Sequence, residues 1–232
     1  MNGRNNSRDL LTKPQIVAAI HSAESLRAAL RLRAGIVDLL ELRVDHFASD
    51  PAPLLRAAPR LAAPLIVTVR HPAEGGQNAL NIARRRELYA QFLPFAACID
   101  VELRSTEALA ATIAAARAAG VRVVLSAHDF RATPSAARLR EIVRRTAAAG
   151  ADVCKIATRS DTAAALARLF AMFSEPTPLP LAVMAMGRFG KVSRLLFAHA
   201  GSVLNYGYLA AANAPGQWPA ARLRELIAEL AS

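Results

Sequence analysis

The chain has 232 residues, 53% of them hydrophobic, and a formal net charge of +11 at pH 7. This composition indicates a globular protein, and the length suits one domain of α/β barrel size or two small ones. The sequence contains no run of about eighteen apolar residues, and its polar first fourteen residues lack a signal core, so we expect a soluble cytoplasmic protein without a membrane partner. The two cysteines, Cys98 and Cys154, form neither a metal motif nor a disulfide framework, which suits a reducing compartment.

The positive charge also raises the question of a nucleic-acid partner, because basic faces neutralise phosphates. The arginines are nevertheless scattered along the chain. Their densest cluster, residues 84–86, lies in a helical stretch without the interleaved aromatic residues that stack on bases. We therefore expect no nucleic-acid partner.

In chain order, short β-rich runs alternate with longer Ala-, Leu- and Arg-rich runs at helical spacing, which predicts parallel βα units. The predicted strands are residues 15–20, 36–45, 64–70, 98–104, 121–130, 151–159, 179–187 and 202–209. Helical runs fill the gaps, and three of them end at Gly35, Gly120 and Gly150. Eight units predict a single-domain (β/α)8 TIM barrel over residues 14–232, after a short polar segment, 1–13. A doubly wound open sheet is the alternative, but no GxGxxG turn follows the first strand.

In such a barrel, alternate strand residues point inward, and chemistry takes place at the carboxyl ends of the strands. The two-residue alternation places pairs of polar residues on the same face of a strand: Glu41 with Arg43, Asp100 with Glu102, and Ser126 with His128. On the sixth predicted strand, Lys155 shares the inward face with Val153 and Ala157. Cys154 and Ile156 should then pack against the helices.

Lys155 is an unusual residue for this strand, because the chain has 29 basic residues and only three are lysines: Lys13, Lys155 and Lys191. A desolvated lysine can lose its proton and act as a nucleophile, whereas arginine stays protonated. His128, near the end of the neighbouring strand, would place an acid/base group one strand away. A lysine paired with a buried carboxylate, and a histidine packed in the core, are the structural alternatives.

Loops after three strands add further polar groups. Arg70 ends the third strand and Glu74 follows it in a Gly-rich loop; Arg70 can contact a substrate oxygen and Glu74 can orient His128, with a surface ion pair as the alternative. A glycine-flanked loop after the seventh strand carries Arg194, suited to a bidentate grip on a carboxylate. A mobile loop after the eighth carries Gln217, which can bind the same anion.

Together, six motifs resemble those of the type I 3-dehydroquinate dehydratase family, Schiff-base-forming enzymes of the shikimate pathway. The motifs are ELRVDHF (41–47), VRHPAEGG (69–76), SAHDFRATP (126–134), ADVCKIA (151–157), MGRFGKVSR (186–194) and APGQ (214–217). They occur in the right order, each at a predicted strand end, from about residue 14 onward. The resemblance implies the same (β/α)8 barrel, a homodimer, and no metal or other cofactor.

The resemblance also implies a reaction: removal of water from the small molecule 3-dehydroquinate to give 3-dehydroshikimate. Lys155 would form the imine, His128 would act as general base, and Glu74 would orient His128. The residues implied to contact substrate are Glu41, Arg43 and Arg70 at its hydroxyls, and Arg194, Asn213 and Gln217 at its carboxylate.

Two positions depart from the family pattern. Asn213 stands where a serine often precedes APGQ, and it can still donate a hydrogen bond to a carboxylate. Ala19 stands at the end of the first strand where a small polar residue can occur, so one minor contact is expected to be missing. The segment 1–13 is also short for the hairpin that often closes the bottom of the barrel in this family.

Two other functions compete with this interpretation. A class I aldolase forms a lysine imine in the same kind of barrel but cleaves a carbon–carbon bond; it would not predict SAHDF beside the lysine together with APGQ after the eighth strand. The alternative that is not an enzyme is a basic nucleic-acid-binding or scaffold protein.

Overall fold

A computed structural model describes residues 14–212, 214 and 216–231. The predicted segment 1–13 and Asn213 lie outside the described residues.

Eight parallel strands form one sheet in the order β7-β6-β5-β4-β3-β2-β1-β8. The strands are β1 Gln15–Ile20, β2 Leu39–Arg43, β3 Leu65–Thr68, β4 Ala96–Glu102, β5 Arg122–Asp129, β6 Val153–Arg159, β7 Leu181–Met186 and β8 Leu204–Tyr208. The outer strands approach each other: the Val203 amide donates to the Leu181 carbonyl at 2.9 Å, and the Val183 amide donates to Ser202 Oγ at 3.1 Å. The sheet is thus a nearly closed barrel, and the predicted single-domain (β/α)8 fold is confirmed.

A helix follows each strand and covers the outside of the barrel. The helices are α1 Ala23–Leu30, α2 Ala52–Ala57, α3 Ile82–Phe92, α4 Ala110–Ala118, α5 Ala136–Ala148, α6 Ala163–Phe170, α7 Gly190–His199 and α8 Ala220–Ala231. Side-chain caps start several of them; Ser22, for example, accepts from the Ser25 amide at the start of α1. Gly120 and Gly150 follow α4 and α5 with φ of +72° and +71°. Gly35 does not end α1, which already stops at Leu30.

The core has two layers, as the alternation predicts. Val153 and Ala157 lie inside the barrel with Val17, Leu39, Ile66 and Val124. Cys154 and Ile156 lie in the layer between strands and helices. Because each fully buried aliphatic side chain contributes about 1.5–3 kcal/mol, these two layers hold the strands in register.

The third strand is shorter than predicted, because backbone groups after Thr68 bond to side chains instead of to neighbouring strands. The Val69 amide donates to the Tyr89 hydroxyl, and the Val69 carbonyl accepts from Arg85 Nε. The His71 amide donates to Glu102 Oε1 at 2.8 Å. These bonds end the strand and fix the chain segment that carries Arg70 and Glu74.

Candidate active site

A pocket of about 120 Å³ opens at the carboxyl ends of the strands, and we call it the barrel-mouth pocket. Every predicted site residue that the structure describes lines it: Glu41, Arg43, Arg70, Glu74, His128, Lys155, Arg194 and Gln217. The fold thus brings together side chains that are up to 176 positions apart, from Glu41 to Gln217.

The Lys155 amine lies deep in the barrel-mouth pocket, with 5% of the side chain exposed. Its Nζ donates to Asp100 Oδ2 at 2.8 Å and to Glu41 Oε1 at 3.4 Å. It also lies 4.0 Å from the centroid of the Tyr206 ring. Two carboxylates and an aromatic face therefore stabilise positive charge at Nζ, so the lysine is carboxylate-paired as well as buried in the site.

Asp100 links Lys155 to Arg70, which donates to both Asp100 oxygens at 3.0 and 2.9 Å. Arg70 also donates to Glu102 and to Ser126 Oγ, at 3.2 and 2.6 Å. Burial alone would raise the pKa of the Asp100 carboxyl, but the charges of Arg70 and Lys155 outweigh it and hold that pKa well below its usual range. Arg70 is thus held by carboxylates while it lines the pocket, and its predicted contact with a substrate oxygen stays a prediction.

A second buried arginine extends this network. Arg85 is 1% exposed, and its guanidinium donates to Glu102 Oε2 at 2.5 Å and to Ser105 Oγ at 3.1 Å. Sequence reasoning assigned no role to Asp100, Glu102 or Arg85. The two-residue alternation of side chains along a strand does place the Asp100 and Glu102 carboxylates on one face of the fourth strand. That pattern was the signal in the sequence from which their shared role could have been predicted.

Glu74 and His128 form a hydrogen-bonded pair beside the lysine. Glu74 Oε2 is 2.9 Å from His128 Nδ1 and accepts from the His128 amide at 3.0 Å. In the pairing of β5 with β6, Ser126 lies opposite Lys155 and His128 opposite Ala157, so the imidazole lies two residues nearer the pocket opening. The predicted proximity of the amine, the imidazole and the carboxylate is present in the structure.

Burial controls the protonation of this pair. It raises the pKa of Glu74 to about 7. It lowers the pKa of His128 well below the usual value, and the charges of Arg70 and Lys155 lower it further. The imidazole is therefore neutral at neutral pH, which is the form that can accept a proton.

Phe130 covers this pair, a contact that the sequence did not predict. Its ring stacks on His128 with 6.4 Å between centroids and 14° between planes. Gly75 has φ of +83°, and a Cβ there would lie 2.8 Å from the Phe130 ring. The glycine therefore permits both the left-handed turn after Glu74 and the close packing of the aromatic ring.

Arg43 is held in a fixed orientation at the edge of the pocket. Its Nε and Nη2 donate to the two Asp45 oxygens at 3.0 and 2.8 Å, and Nη2 also donates to the Gly75 carbonyl at 3.0 Å. Asp45 is fully buried and accepts from the Gln77 amide as well. Asp45 was not predicted as a site residue, although it lies within the ELRVDHF motif.

Arg194 lies on α7, whereas the sequence predicted a glycine-flanked loop; Gly190 begins the helix instead of interrupting it. The guanidinium is buried and donates to four carbonyls, those of Tyr206, Ala185, Gly190 and Gly216, at 2.6–3.1 Å. Burial lowers its pKa to about 10, and no carboxylate among the described residues pairs with it. A buried cation that lines a pocket without an acidic partner is suited to an anionic ligand.

Gln217 is 6% exposed and lines the pocket, so the predicted mobile loop is packed at this residue. The preceding Gly216 has φ of +79°, and a Cβ there would lie 2.6 Å from Gly190 Cα. The contact between this loop and the start of α7 also explains how the Gly216 carbonyl reaches Arg194.

The described part of the chain, residues 14–212, 214 and 216–231, offers neither a metal site nor a membrane-spanning helix. No group of three His, Cys, Asp or Glu side chains there could hold a metal ion. No helix there has the length and apolar character to span a membrane.

Comparisons with known proteins place these residues in a family. Residues 16–231 match the family model of type I 3-dehydroquinase. The 3-dehydroquinate dehydratase of Klebsiella pneumoniae (strain ATCC 700721 / MGH 78578) is 36% identical over 206 residues, which is 82% of this chain and 81% of that protein. That of Thermococcus gammatolerans is 34% identical over 218 residues, 93% of this chain and 99% of that protein.

Solved structures give the same result. The 3-dehydroquinate dehydratase of Geobacillus kaustophilus HTA426 superposes with a TM-score of 0.85 at 30% identity, over 95% of this chain and 92% of that one. The type I enzyme of Clostridium difficile, solved with covalent modified comenic acid, gives 0.84 at 26% identity, over 94% and 92%. The family model, the relatives and the fold agree, and the chain belongs to the type I 3-dehydroquinase family.

Proposed function

We propose that this chain is a hydro-lyase that converts 3-dehydroquinate to 3-dehydroshikimate and water through an imine on Lys155. The observation that carries the proposal is the position of the Lys155 amine, buried at the base of the barrel-mouth pocket one strand from the His128–Glu74 pair. The names of the relatives supply the substrate. The covalent ligand reported for the Clostridium difficile protein is consistent with a nucleophile in the pocket.

Formation of the imine begins when the Lys155 amine, its proton passed to His128, attacks the ring ketone. His128 accepts and returns protons as the carbinolamine loses water and becomes an iminium. Positive charge is then again present at Nζ, next to the Asp100 and Glu41 carboxylates. These carboxylates therefore stabilise the intermediate as well as the resting ammonium.

The iminium acidifies the carbon next to it, and neutral His128 removes a proton from that carbon. The enamine that results expels the hydroxyl, which receives the proton from His128 and leaves as water. Hydrolysis of the imine then releases product and restores the amine. Ionised Glu74 would accept a hydrogen bond from His128 Nδ1–H and so stabilise the transient imidazolium.

The remaining residues would position the substrate. We assign its carboxylate to Arg194 and Gln217, with Asn213 as a further donor, because Arg194 carries an unpaired buried charge. We assign its hydroxyls to Glu41 and Arg43, whose side chains line the same pocket. Arg70 also lines it and contributes positive charge from its carboxylate network.

The wider setting is proposed on the family resemblance. We place the reaction in the shikimate pathway, in the cytoplasm, and in a homodimer, with no metal or other cofactor. Formation of the conjugated enone can be followed by ultraviolet absorbance, and that assay tests the proposed reaction. Cleavage of a carbon–carbon bond without enone formation would favour the aldolase alternative.

Replacement of Arg194 by lysine is expected to raise KM for 3-dehydroquinate and to lower kcat. Lysine keeps the charge but cannot reproduce the guanidinium fork that holds four carbonyls, so both the anchor and the loop at Gly216 lose support. Loss of a hydrogen bond to a charged group costs about 1.5–3 kcal/mol, so kcat/KM should fall about 10- to 150-fold. Steady-state kinetics, with thermal unfolding to confirm folding, would measure this; unchanged kinetics would place the carboxylate elsewhere.

Replacement of Asn213 by serine is expected to change kcat/KM by less than about tenfold, because both side chains can donate to the same carboxylate. Asn213→Ala removes the donor and serves as the comparison. If serine and alanine had the same effect, Asn213 would not contact the substrate.

A further inference from the structure

A second cavity, of about 330 Å³, lies outside the barrel wall between the loop after β4 and helix α5. Buried apolar side chains, including Leu103, Ile142 and Ile156, form part of its lining. Three arginines, Arg104, Arg138 and Arg145, also line it. We call this cavity the outer arginine groove.

The three arginines are exposed, and none of their guanidinium groups forms an ion pair or a hydrogen bond with a described residue. The acidic groups near them are already engaged. Asp129, which also lines the groove, accepts from the amides of Arg131 and Ala132. Glu141, on α5, is paired with Arg144. The guanidinium groups are therefore available to an external anion.

Apolar and cationic side chains in one cavity favour one chemical class of ligand. Guanidinium groups bind carboxylate or phosphate through paired hydrogen bonds, and buried aliphatic side chains contact an apolar body. We propose that the outer arginine groove is a second binding site, for a small organic dianion that carries carboxylate or phosphate groups on an apolar body.

Occupation of the groove would affect the reaction, because Glu74 and His128 line both the groove and the barrel-mouth pocket. Burial raises the pKa of Glu74, and the charge of Arg104 opposes that rise and so favours the carboxylate. An anion bound to Arg104 offsets that charge, which leaves less Glu74 ionised to support His128. Bound ligand should therefore lower turnover; this consequence rests on the proposed function, whereas the binding does not.

Isothermal titration calorimetry with phthalate, an aromatic dicarboxylate, tests the binding. The triple variant Arg104→Gln, Arg138→Gln, Arg145→Gln should bind phthalate at least tenfold more weakly than the unaltered protein. A matched control, Arg27→Gln, Arg31→Gln, Arg56→Gln, removes the same charge from exposed arginines on and beside α1 and α2 and should change affinity less than twofold. Equal losses in both variants would indicate diffuse charge attraction, and no loss in the groove variant would indicate binding elsewhere; either result overturns the proposal.

Two more measurements sharpen the test. Inorganic phosphate has no apolar body and should bind at least tenfold more weakly than phthalate; equal affinity would overturn the proposed ligand class.

In the dehydration assay, phthalate should lower kcat at least twofold and change KM less than twofold, whereas purely competitive inhibition would assign it to the barrel-mouth pocket. If the protein dehydrated no 3-dehydroquinate even without phthalate, the proposed function would fail while the calorimetric result would still decide the binding site.

Discussion

Replacement of Lys155 by alanine is expected to abolish dehydration, with turnover reduced by about 10⁴-fold or more, because a covalent step loses its nucleophile. Borohydride added to the unaltered protein with 3-dehydroquinate should reduce the imine and inactivate the protein irreversibly. The added mass should map to the peptide that contains Lys155, and Lys155→Ala should show no adduct. An adduct on Lys13 or Lys191, or near-normal turnover in Lys155→Ala, would contradict the assignment.

Lys155→Arg is the matched control for this prediction. Alanine breaks the buried ion pair between Lys155 and Asp100, although Arg70 still pairs with Asp100. Breaking a buried ion pair costs about 3–5 kcal/mol when the remaining charge has no partner, so a smaller loss of stability accompanies this variant. Arginine keeps the positive charge but cannot lose its proton and attack. We expect Lys155→Arg to be as inactive as Lys155→Ala and to unfold at a higher temperature than Lys155→Ala. Appreciable turnover in Lys155→Arg would show that charge alone is the contribution of this position.

The sequence predicts the barrel well because its evidence is periodic. Hydrophobic runs of strand length recur between helical runs, and each inward or outward assignment on β6 follows from one two-residue alternation. Strand ends are less predictable. The run 64–70 is apolar enough to continue the third strand, but Tyr89, Arg85 and Glu102 bind the backbone after Thr68, and these partners come from later elements.

The place of a pocket residue is predictable where it follows from that residue's own position in a strand or motif, as for Lys155, His128 and Glu74. Contacts that folding creates between residues far apart in the sequence are not predictable in this way. Arg84, Arg85 and Arg86 are identical in type, yet Arg85 alone of the three is buried, against Glu102. Asp100 joins Arg70 and Lys155 across 30 and 55 residues of sequence, and no spacing rule connects them. The resting lysine is therefore surrounded by more negative charge than its apolar strand suggests.

Replacement of His128 by alanine is expected to lower turnover by about 10²- to 10⁴-fold, the usual contribution of general acid–base catalysis. The Lys155 amine remains, so borohydride should still trap an adduct, but more slowly, since proton transfers during imine formation are impaired. Rapid-quench trapping with mass measurement separates the two steps. Loss of the adduct in a folded His128→Ala protein would mean that His128 is required for the amine to attack, and full turnover would exclude it as the base.

The pH dependence of kcat/KM is expected to report Glu74 instead of His128. Burial raises the pKa of Glu74 to about 7 and lowers that of His128 well below its usual value, so His128 is already neutral where Glu74 titrates. As pH rises through about 7, Glu74 becomes the carboxylate that stabilises the imidazolium, and kcat/KM should rise with it. Glutamine cannot ionise, so Glu74→Gln should lose the rise in kcat/KM near pH 7, which we call the acid limb of the profile. At pH 8 its kcat/KM should be about 10- to 150-fold lower, which corresponds to the loss of a hydrogen bond to a charged group. If kcat/KM of Glu74→Gln still rose near pH 7, the rise would reflect ionisation of another group, and Glu74 would only orient the imidazole.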